Sequence, residues 1–468
     1  MMNASPADLL EDPPIVASSN IGRRFLSRSV RWSGAAPLEF LRGFTGQPRA
    51  LWQSDGPSPA FASAGVAAVL TASGPERLAS IRAQSDRLFS EISQTSTDAP
   101  SQIKPRLFGG LAYAPDFEPD DIWSAFAPAV FILPAYQLTR LGEAAWLTVN
   151  QPIEPGQLIE EAHAQLDQTI DDLQARLSIT SQLENHPQRP APWNIEDLTQ
   201  YPIWERMVNE VTARIYTGQL SKVVLARSRR ARAKSPIDPV AVLAQLDANY
   251  PHCYRFLMEP FPGHAFLGAT PELLAEVSGN CFRTMALAGS IRRGATPTAD
   301  AALGAELLAN SKEHQEHVLV REAMTESLEL LAEELNVSLE PQLYPLPNIQ
   351  HLCTPISGKL VPGCDVLHVV EALHPTPAVG GTPREAALKL IPQLEPHPRG
   401  WYAGPVGWLD SQGDGVFAVA LRSAVVVGEE ARLYAGAGIV ADSDPRREWQ
   451  ETELKFKPML NALKGASR

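Results

Sequence analysis

The run GAGIVADSDPRREWQETELKFKP, Gly436 to Pro458, joins a glycine-rich strand end to an acidic helix. Glu448, Glu451 and Lys455 stand at i, i+3 and i+7, so one helical face presents two carboxylates and an ammonium. Such spacing most often marks surface ion pairing. A second acidic pair at the same spacing, Glu313 and Glu316 in SKEHQEHVLV, shifts that weighing. Two acidic helix faces from distant parts of one chain can hold a hard divalent cation through oxygen ligands.

The strands that lead into this helix read as GWYAGPVGWLD, GVFAVALRSAVVV and RLYAGAGIV. Further upstream, KVVLARSRR, HAFLGATPELLAEV and CFRTMALAGSI are strand-like, and a helical block covers roughly 302 to 336. Trp204, Val208, Val211 and Ile215 mark a helix that Gly218 would stop. The segment from His186 to Pro202 has four prolines and reads as a linker between an amino half, 21–185, and a carboxyl half, 203–466. In the amino half, short apolar runs between about 37 and 150 read as antiparallel strands, and leucines recurring from 156 to 178 give a surface helix. Residues 1–20 read as a loose leader. Strands and helices do not alternate strictly, so the expected class is α+β, with long antiparallel strands and helices packed outside.

With 44% hydrophobic and 20% charged residues, the 468-residue chain can bury a substantial core. A net charge of −13 disfavours nucleic acid or an anionic membrane as partner, while leaving an anionic small molecule open. Cys253, Cys281, Cys353 and Cys364 have no paired spacing, which suits a reducing compartment and neither a disulfide framework nor a zinc site. The first thirty residues contain no apolar segment of signal-peptide type, and Phe126–Tyr136 is too short and proline-broken to span a bilayer. A soluble cytoplasmic protein is expected.

Several residues could carry chemistry. Lys222 lies among Val223, Val224 and Leu225 on a strand; most strand lysines face solvent, but one in apolar surroundings can serve as a general base. Glu272 in FLGATPELL follows a glycine turn, where a carboxylate commonly accepts backbone hydrogens; with Lys222 it could form an acid–base pair. Alternation along GVFAVALRSAVVV puts Arg422 on one face with Ala418, Ala420 and Ala424, leaving room for a carboxylate in its fork; the other reading is a buried ion pair. Gly436 and Gly438 share a face on which backbone N–H groups can approach a ligand, and Tyr402 could add a hydroxyl. His351 and His374 are lone histidines without metal-ligand spacing. The GGTP run at 380–383 lacks the lysine and spacing of a phosphate loop.

Taken in order, SKVVLAR, GATPELL, ALAGSIRRG, KEHQEHVLV, HLCTPISG, LHPTPAVGG, GWYAGPVGW, ALRSA and AGAGIVADSDPRREWQET resemble the chorismate-utilising enzymes. These motifs span about 200 to 460, and the looser RLFGGLAYAP extends the likeness to the amino half. The resemblance implies one large domain of two facing antiparallel sheets with outer helices. It implies Mg²⁺ with Glu316 and Glu451 as direct ligands and Glu313 and Glu448 holding its water shell. Arg422, Tyr402 and the Gly438 backbone match positions that grip the enolpyruvyl carboxylate, Lys455 matches one at the ring carboxylate, and His351 one near the ring.

The branch is indicated by four positions. Members that add water at ring C2 carry lysine and glutamate where Lys222 and Glu272 stand, whereas anthranilate synthases lack that lysine. Ala378 and Leu287 look like the isochorismate synthase type, since salicylate synthases and amine-adding relatives tend to carry threonine at the former. The resemblance therefore implies reversible conversion of chorismate to isochorismate, with no glutaminase subunit. A salicylate synthase, and a non-catalytic chorismate-binding protein, are the alternatives. Isochorismate would feed menaquinone, a catechol siderophore or salicylate made by a separate lyase, three uses these motifs do not separate.

Overall fold

The computed structural model describes residues 22–34, 36–54, 58–95, 98–180 and 193–466. The segment read as a leader, 1–20, and the 186–192 part of the proline-rich segment lie outside the described residues. Of the remainder of that segment, Asn194–Asp197 is a strand paired with Arg229–Arg232, and Tyr201–Tyr216 is the expected helix, followed by Gly218 at φ +75°.

Among the described residues the chain forms a thirteen-stranded and a ten-stranded sheet. The larger runs from Asn194–Asp197 through Lys222–Arg232, Glu430–Ile439, Ser423–Val427, His264–Thr270 and Tyr254–Phe261. It continues through Arg49–Gln53, Ala60–Ala64, Tyr136–Leu141, Ala144–Pro152 and Phe25–Trp32 to Ile92–Gln94. Strands from before residue 153 thus extend the same sheet as strands from beyond 222. The smaller sheet mixes them too, with Arg106–Leu111 beside Pro405–Asp410. Neighbours pair antiparallel, apart from the parallel pair Phe25–Trp32 and Ile92–Gln94.

The two sheets meet through aromatic side chains. Phe61 of the larger sheet packs on Phe108 and Trp408 of the smaller, with centroids 5.8 and 5.2 Å apart. A second core lies on the outer face of the larger sheet, where Leu166, Ile170, Leu243, Leu246, Phe456 and Met459 from three helices cover it. Each helix buries its apolar stripe there, removing it from water. This is the expected α+β arrangement of two antiparallel sheets with helices outside.

Three expectations need correction. GVFAVALRSAVVV is two strands, not one: Gly415–Val419 belongs to the smaller sheet and Ser423–Val427 to the larger. Arg422 sits in the crossing with φ +50°, so face alternation with Ala418 and Ala424 does not apply to it. HAFLGATPELLAEV crosses likewise, from His264–Thr270 to Leu273–Ser278, with Glu272 in the crossing. Period-2 patterning cannot register such a change of sheet, because both strands are buried on both faces and read as one apolar run. The helical block breaks at Asn310, whose side chain accepts from the N–H groups of Lys312 and Glu313 and starts a second helix, Ser311–Glu329. Beyond it Ala332–Val337 is a polar edge strand rather than helix, held by pairing with Ile349–Leu360.

One buried ion pair fastens the amino-half strands to the rest of the larger sheet. Arg49 Nε donates to Glu259 Oε2 at 2.6 Å, Arg49 Nη1 donates to Leu41 O, and Glu259 Oε1 accepts from Gly263 N. Replacing Arg49 with Met leaves a buried carboxylate without its cation. We expect Arg49→Met to lower unfolding free energy by about 3–5 kcal/mol in denaturant titration; a loss below about 1 kcal/mol would contradict this account.

Candidate active site

The two crossings are tied to each other. Thr270 Oγ1 donates to Val419 O at 2.6 Å, Val419 N donates to Glu272 O at 3.0 Å, and Ala269 N donates to Arg422 O at 3.3 Å. They open onto a cavity of about 500 Å³ between the sheets, a size suited to a small molecule. Both Glu272 and Arg422 line it. Burial pushes the Glu272 carboxyl up to about 7 despite the nearby Arg422 and Lys222. No hydrogen bond or ion pair among the described residues ties the Arg422 guanidinium, so the structural ion-pair reading of this residue does not hold.

Lys222 opens the strand Lys222–Arg232 and is 1% exposed. Its Nζ is 2.7 Å from Glu316 Oε1. Across the ladder, Gly438 pairs with Val224, and a Cβ on Gly438 would lie 2.9 Å from Glu316 Oε1 and 3.0 Å from Lys222 Cε. Only glycine leaves space for that lysine and carboxylate beside the strand. Gly436, on the same face, also lines the cavity and gives its carbonyl to Lys455 Nζ at 2.8 Å.

Two helices deliver the acidic side chains. Glu313 and Glu316 come from Ser311–Glu329, packed on the smaller sheet, and Glu448 and Glu451 from Pro445–Ala466, packed on the larger. Asp444 starts the latter helix by accepting from the N–H groups of Arg446 and Arg447, with Pro445 in its first turn. All four carboxylates line the one cavity. Burial and then Glu316 push Glu313 up; burial and then Glu451 push Glu448 up to about 7. Burial also acts upward on Glu316, but the Lys222 ammonium carries it below the ordinary carboxylate value. Lys455 lies 2.6 Å from Glu451. Among the described residues no three His, Cys, Asp or Glu side chains gather closely enough to enclose a metal by themselves.

His351, Leu287, Ala378 and Tyr402 complete the wall, so the cavity gathers every residue singled out for the site except His374. His351 Nδ1 donates to Gly289 O at 3.3 Å, and its buried Nε2 has no partner among the described residues; burial and then Arg422 hold the ring down to about 3, hence neutral. Tyr402 stacks on Tyr434 with centroids 5.2 Å apart, and burial raises its hydroxyl to about 12, keeping it a donor. It stands in the turn before Pro405–Asp410 rather than in a strand. His374 is a core residue that donates from Nε2 to Tyr113 O.

One organising feature has no sequence signature. Strand Cys281–Arg292 bulges at Gly289, φ +76°, and three successive residues there each hold a different group. Ala288 O accepts from His317 Nδ1 at 3.2 Å, Gly289 O accepts from His351, and Ser290 N donates to Glu313 Oε2 at 2.9 Å. The glycine in ALAGS is the only hint in the sequence, and it reads equally well as a turn.

A family model for chorismate binding enzymes matches residues 16–464. The chain belongs to the chorismate-binding enzyme family. It is 37% identical over 368 residues to the isochorismate synthase MenF of Bacillus subtilis, covering 79% of this chain and 76% of that one. It is 37% identical over 419 residues to a salicylate biosynthesis isochorismate synthase of Pseudomonas aeruginosa, covering 89% and 85%. Among solved structures, the menaquinone-specific isochorismate synthase MenF of Escherichia coli superposes with a TM-score of 0.78 at 27% identity over 95% of each chain. Anthranilate synthase component I of Streptococcus pneumoniae, 20% identical with a TM-score of 0.62, shares the fold.

For this chorismate-binding family member, Gly438→Ala should displace Lys222 or Glu316 without straining the backbone. Misplacement of that size costs about 10²-fold in rate. We expect such a loss in chorismate consumption with an unchanged melting temperature; wild-type consumption would show that the crowding is harmless.

Proposed function

We propose that this protein is an isochorismate synthase, a hydroxymutase that interconverts chorismate and isochorismate. The observation that carries this reading is the pairing, around one cavity, of buried Lys222 and a Glu272 carboxyl raised to about 7. Relatives named isochorismate synthase cover most of the chain and support it. Ala378 and Leu287 at the cavity wall favour it over a salicylate synthase.

In the proposed reaction Lys222, which must first release the proton it carries beside Glu316, takes a proton from the water that attacks ring C2. The ring double bond shifts, and Glu272 gives its proton to the departing C4 hydroxyl, which leaves as water. One proton is taken up and one released, so the exchange balances and runs in either direction. Arg422 supplies the fork for the enolpyruvyl carboxylate, joined by the Tyr402 hydroxyl and the Gly438 N–H, and Lys455 faces the ring carboxylate. Neutral His351 restrains the ring. Water is the nucleophile, so no glutaminase subunit is required.

The donor set fits Mg²⁺. Four carboxylate oxygen donors crowd one cavity wall, and the upward pressure on Glu313 and Glu448 is partly their mutual repulsion, which a hard cation relieves. Glu316 and Glu451 would be direct ligands, with Glu313 and Glu448 holding bound water. When bound, the ion would supply charge to fix the ring carboxylate. In the ligand-free chain Lys222 and Lys455 supply positive charge beside the same carboxylates. Among the described residues no helix is long and apolar enough to cross a membrane, and a cytoplasmic setting suits a pathway starting from chorismate.

Incubation with chorismate and Mg²⁺, followed by proton NMR, should give isochorismate alone. Salicylate with pyruvate would transfer the protein to the salicylate synthases, and unchanged chorismate would make it a binding protein. Loss of a positioned acid or base costs about 10²–10⁴-fold, so Lys222→Ala and Glu272→Gln should each lose at least 10²-fold in kcat while remaining folded. Near wild-type turnover in either would remove that residue from its role. Because Glu272, raised to about 7, must hold its proton while Lys222 must lack one, kcat/KM should pass through a maximum with pH rather than rise steadily. A rate still climbing at pH 9 would contradict its role as acid.

A further inference from the structure

Beyond Lys222 the strand Lys222–Arg232 has an irregular neighbour on the side away from Glu430–Ile439. Thr382 and Gly381 pair with Lys222 and Val223 at one end, and Asn194–Asp197 pairs with Arg229–Arg232 at the other. Between them, where a strand would otherwise stand, lie the side chains of Glu395 and Arg399, 5% and 3% exposed. Arg399 Nη2 donates to Val224 O at 2.8 Å, and Glu395 Oε1 accepts from Ala226 N at 2.7 Å. An ion pair thus satisfies the backbone groups that a neighbouring strand would have satisfied.

The same guanidinium reaches the adjoining loop, whose Gly380 O accepts from Val224 N at 2.7 Å. Arg399 Nη1 donates to Val379 O at 2.8 Å, immediately after Ala378. Its Nε and Nη2 both bond to Glu395, and its Cζ lies 4.3 Å over the ring of Tyr113. Its own carbonyl accepts from Tyr402 N at 3.0 Å. The buried fork therefore joins the strand that presents Lys222 to the loop that presents Ala378, and the Arg399 main chain holds the turn that presents Tyr402. Neither side chain lines the cavity.

We propose that Arg399, fixed by Glu395, is a positioning residue that sets Lys222 in register with the Ala378 wall. This rests on the isochorismate synthase reading and adds the element that holds its base in place. Lysine at 399 would keep the charge beside Glu395, but its single ammonium cannot copy a planar fork that serves Val224 O and Val379 O together.

The test uses the full chain carrying Arg399→Lys, with Lys222→Ala in parallel. Arg399→Lys should fold, with kcat about tenfold lower or less and KM for chorismate within about threefold of the parent. Amide hydrogen exchange should quicken in 222–226 and 376–382 while 229–232 stays protected. If Arg399→Lys does not fold, Glu395→Leu with Arg399→Met removes both charges together, a replacement that leaves no buried charge unpaired, and carries the same expectations. A folded variant with kcat within about twofold of the parent overturns the proposal, as does failure of both variants to fold, which would mark the pair as purely structural. Inactive Lys222→Ala beside fully active Arg399→Lys sinks this inference alone. Active Lys222→Ala sinks the parent reading, and the exchange pattern then decides the inference by itself.

Discussion

Where His264–Thr270 gives way to Leu273–Ser278, and Gly415–Val419 to Ser423–Val427, the chain leaves one sheet for the other twice at the same place. The crossings bond to each other through Thr270, Val419, Glu272 and Arg422, so their backbone groups are satisfied without water. That frees the side chains of Glu272 and Arg422 to point into the gap between the sheets. A regular sandwich would have placed alternating apolar residues there. The site exists because the sheets share strands at this seam rather than merely stacking.

Burial at the seam acts differently on the two charges. A carboxyl can answer desolvation by holding its proton, as Glu272 does, whereas a guanidinium stays charged. Four arginines buried elsewhere are paired with carboxylates, Arg49 with Glu259, Arg227 with Asp197 and Glu453, Arg255 with Asp247 and Arg399 with Glu395, while buried Arg77 and Arg106 donate to main-chain carbonyls. Arg422 has no such partner among the described residues. The cavity thus holds a guanidinium free of any ion pair among the described residues, a charge suited to an anionic substrate.

What could be read in advance follows from range. Glu313 with Glu316, and Glu448 with Glu451, were legible because helical spacing is local and the acidic residues mark a face. Lys222, Glu272 and Arg422 stood out as candidates from their local settings but took definite roles only through resemblance to chorismate-utilising enzymes, and Ala378 was legible only through it; alternation alone misplaced Arg422 by treating two strands as one. The bulge at Gly289 and the Glu395–Arg399 pair escaped both routes. Each acts through backbone carbonyls and N–H groups of residues distant in sequence, and main-chain partners leave no mark on residue identity. The strand Ala332–Val337 was hidden for a related reason, since its partners, not its polar composition, make it extended.

The interleaving of early and late strands also governs how the molecule must come into being on the ribosome. Lys222 begins a strand whose partner, Glu430–Ile439, is synthesised about two hundred residues later, followed by the helix carrying Glu448 and Glu451. Until then the apolar run Val223–Ala226 has no ladder on that side, and the amino-half strands wait for Tyr254–Phe261 to join them. Non-local pairings of this kind close slowly and leave strand edges open meanwhile. The catalytic cavity is therefore among the last parts of the protein to form, and a chain arrested before its carboxyl-terminal helix would be both inactive and adhesive.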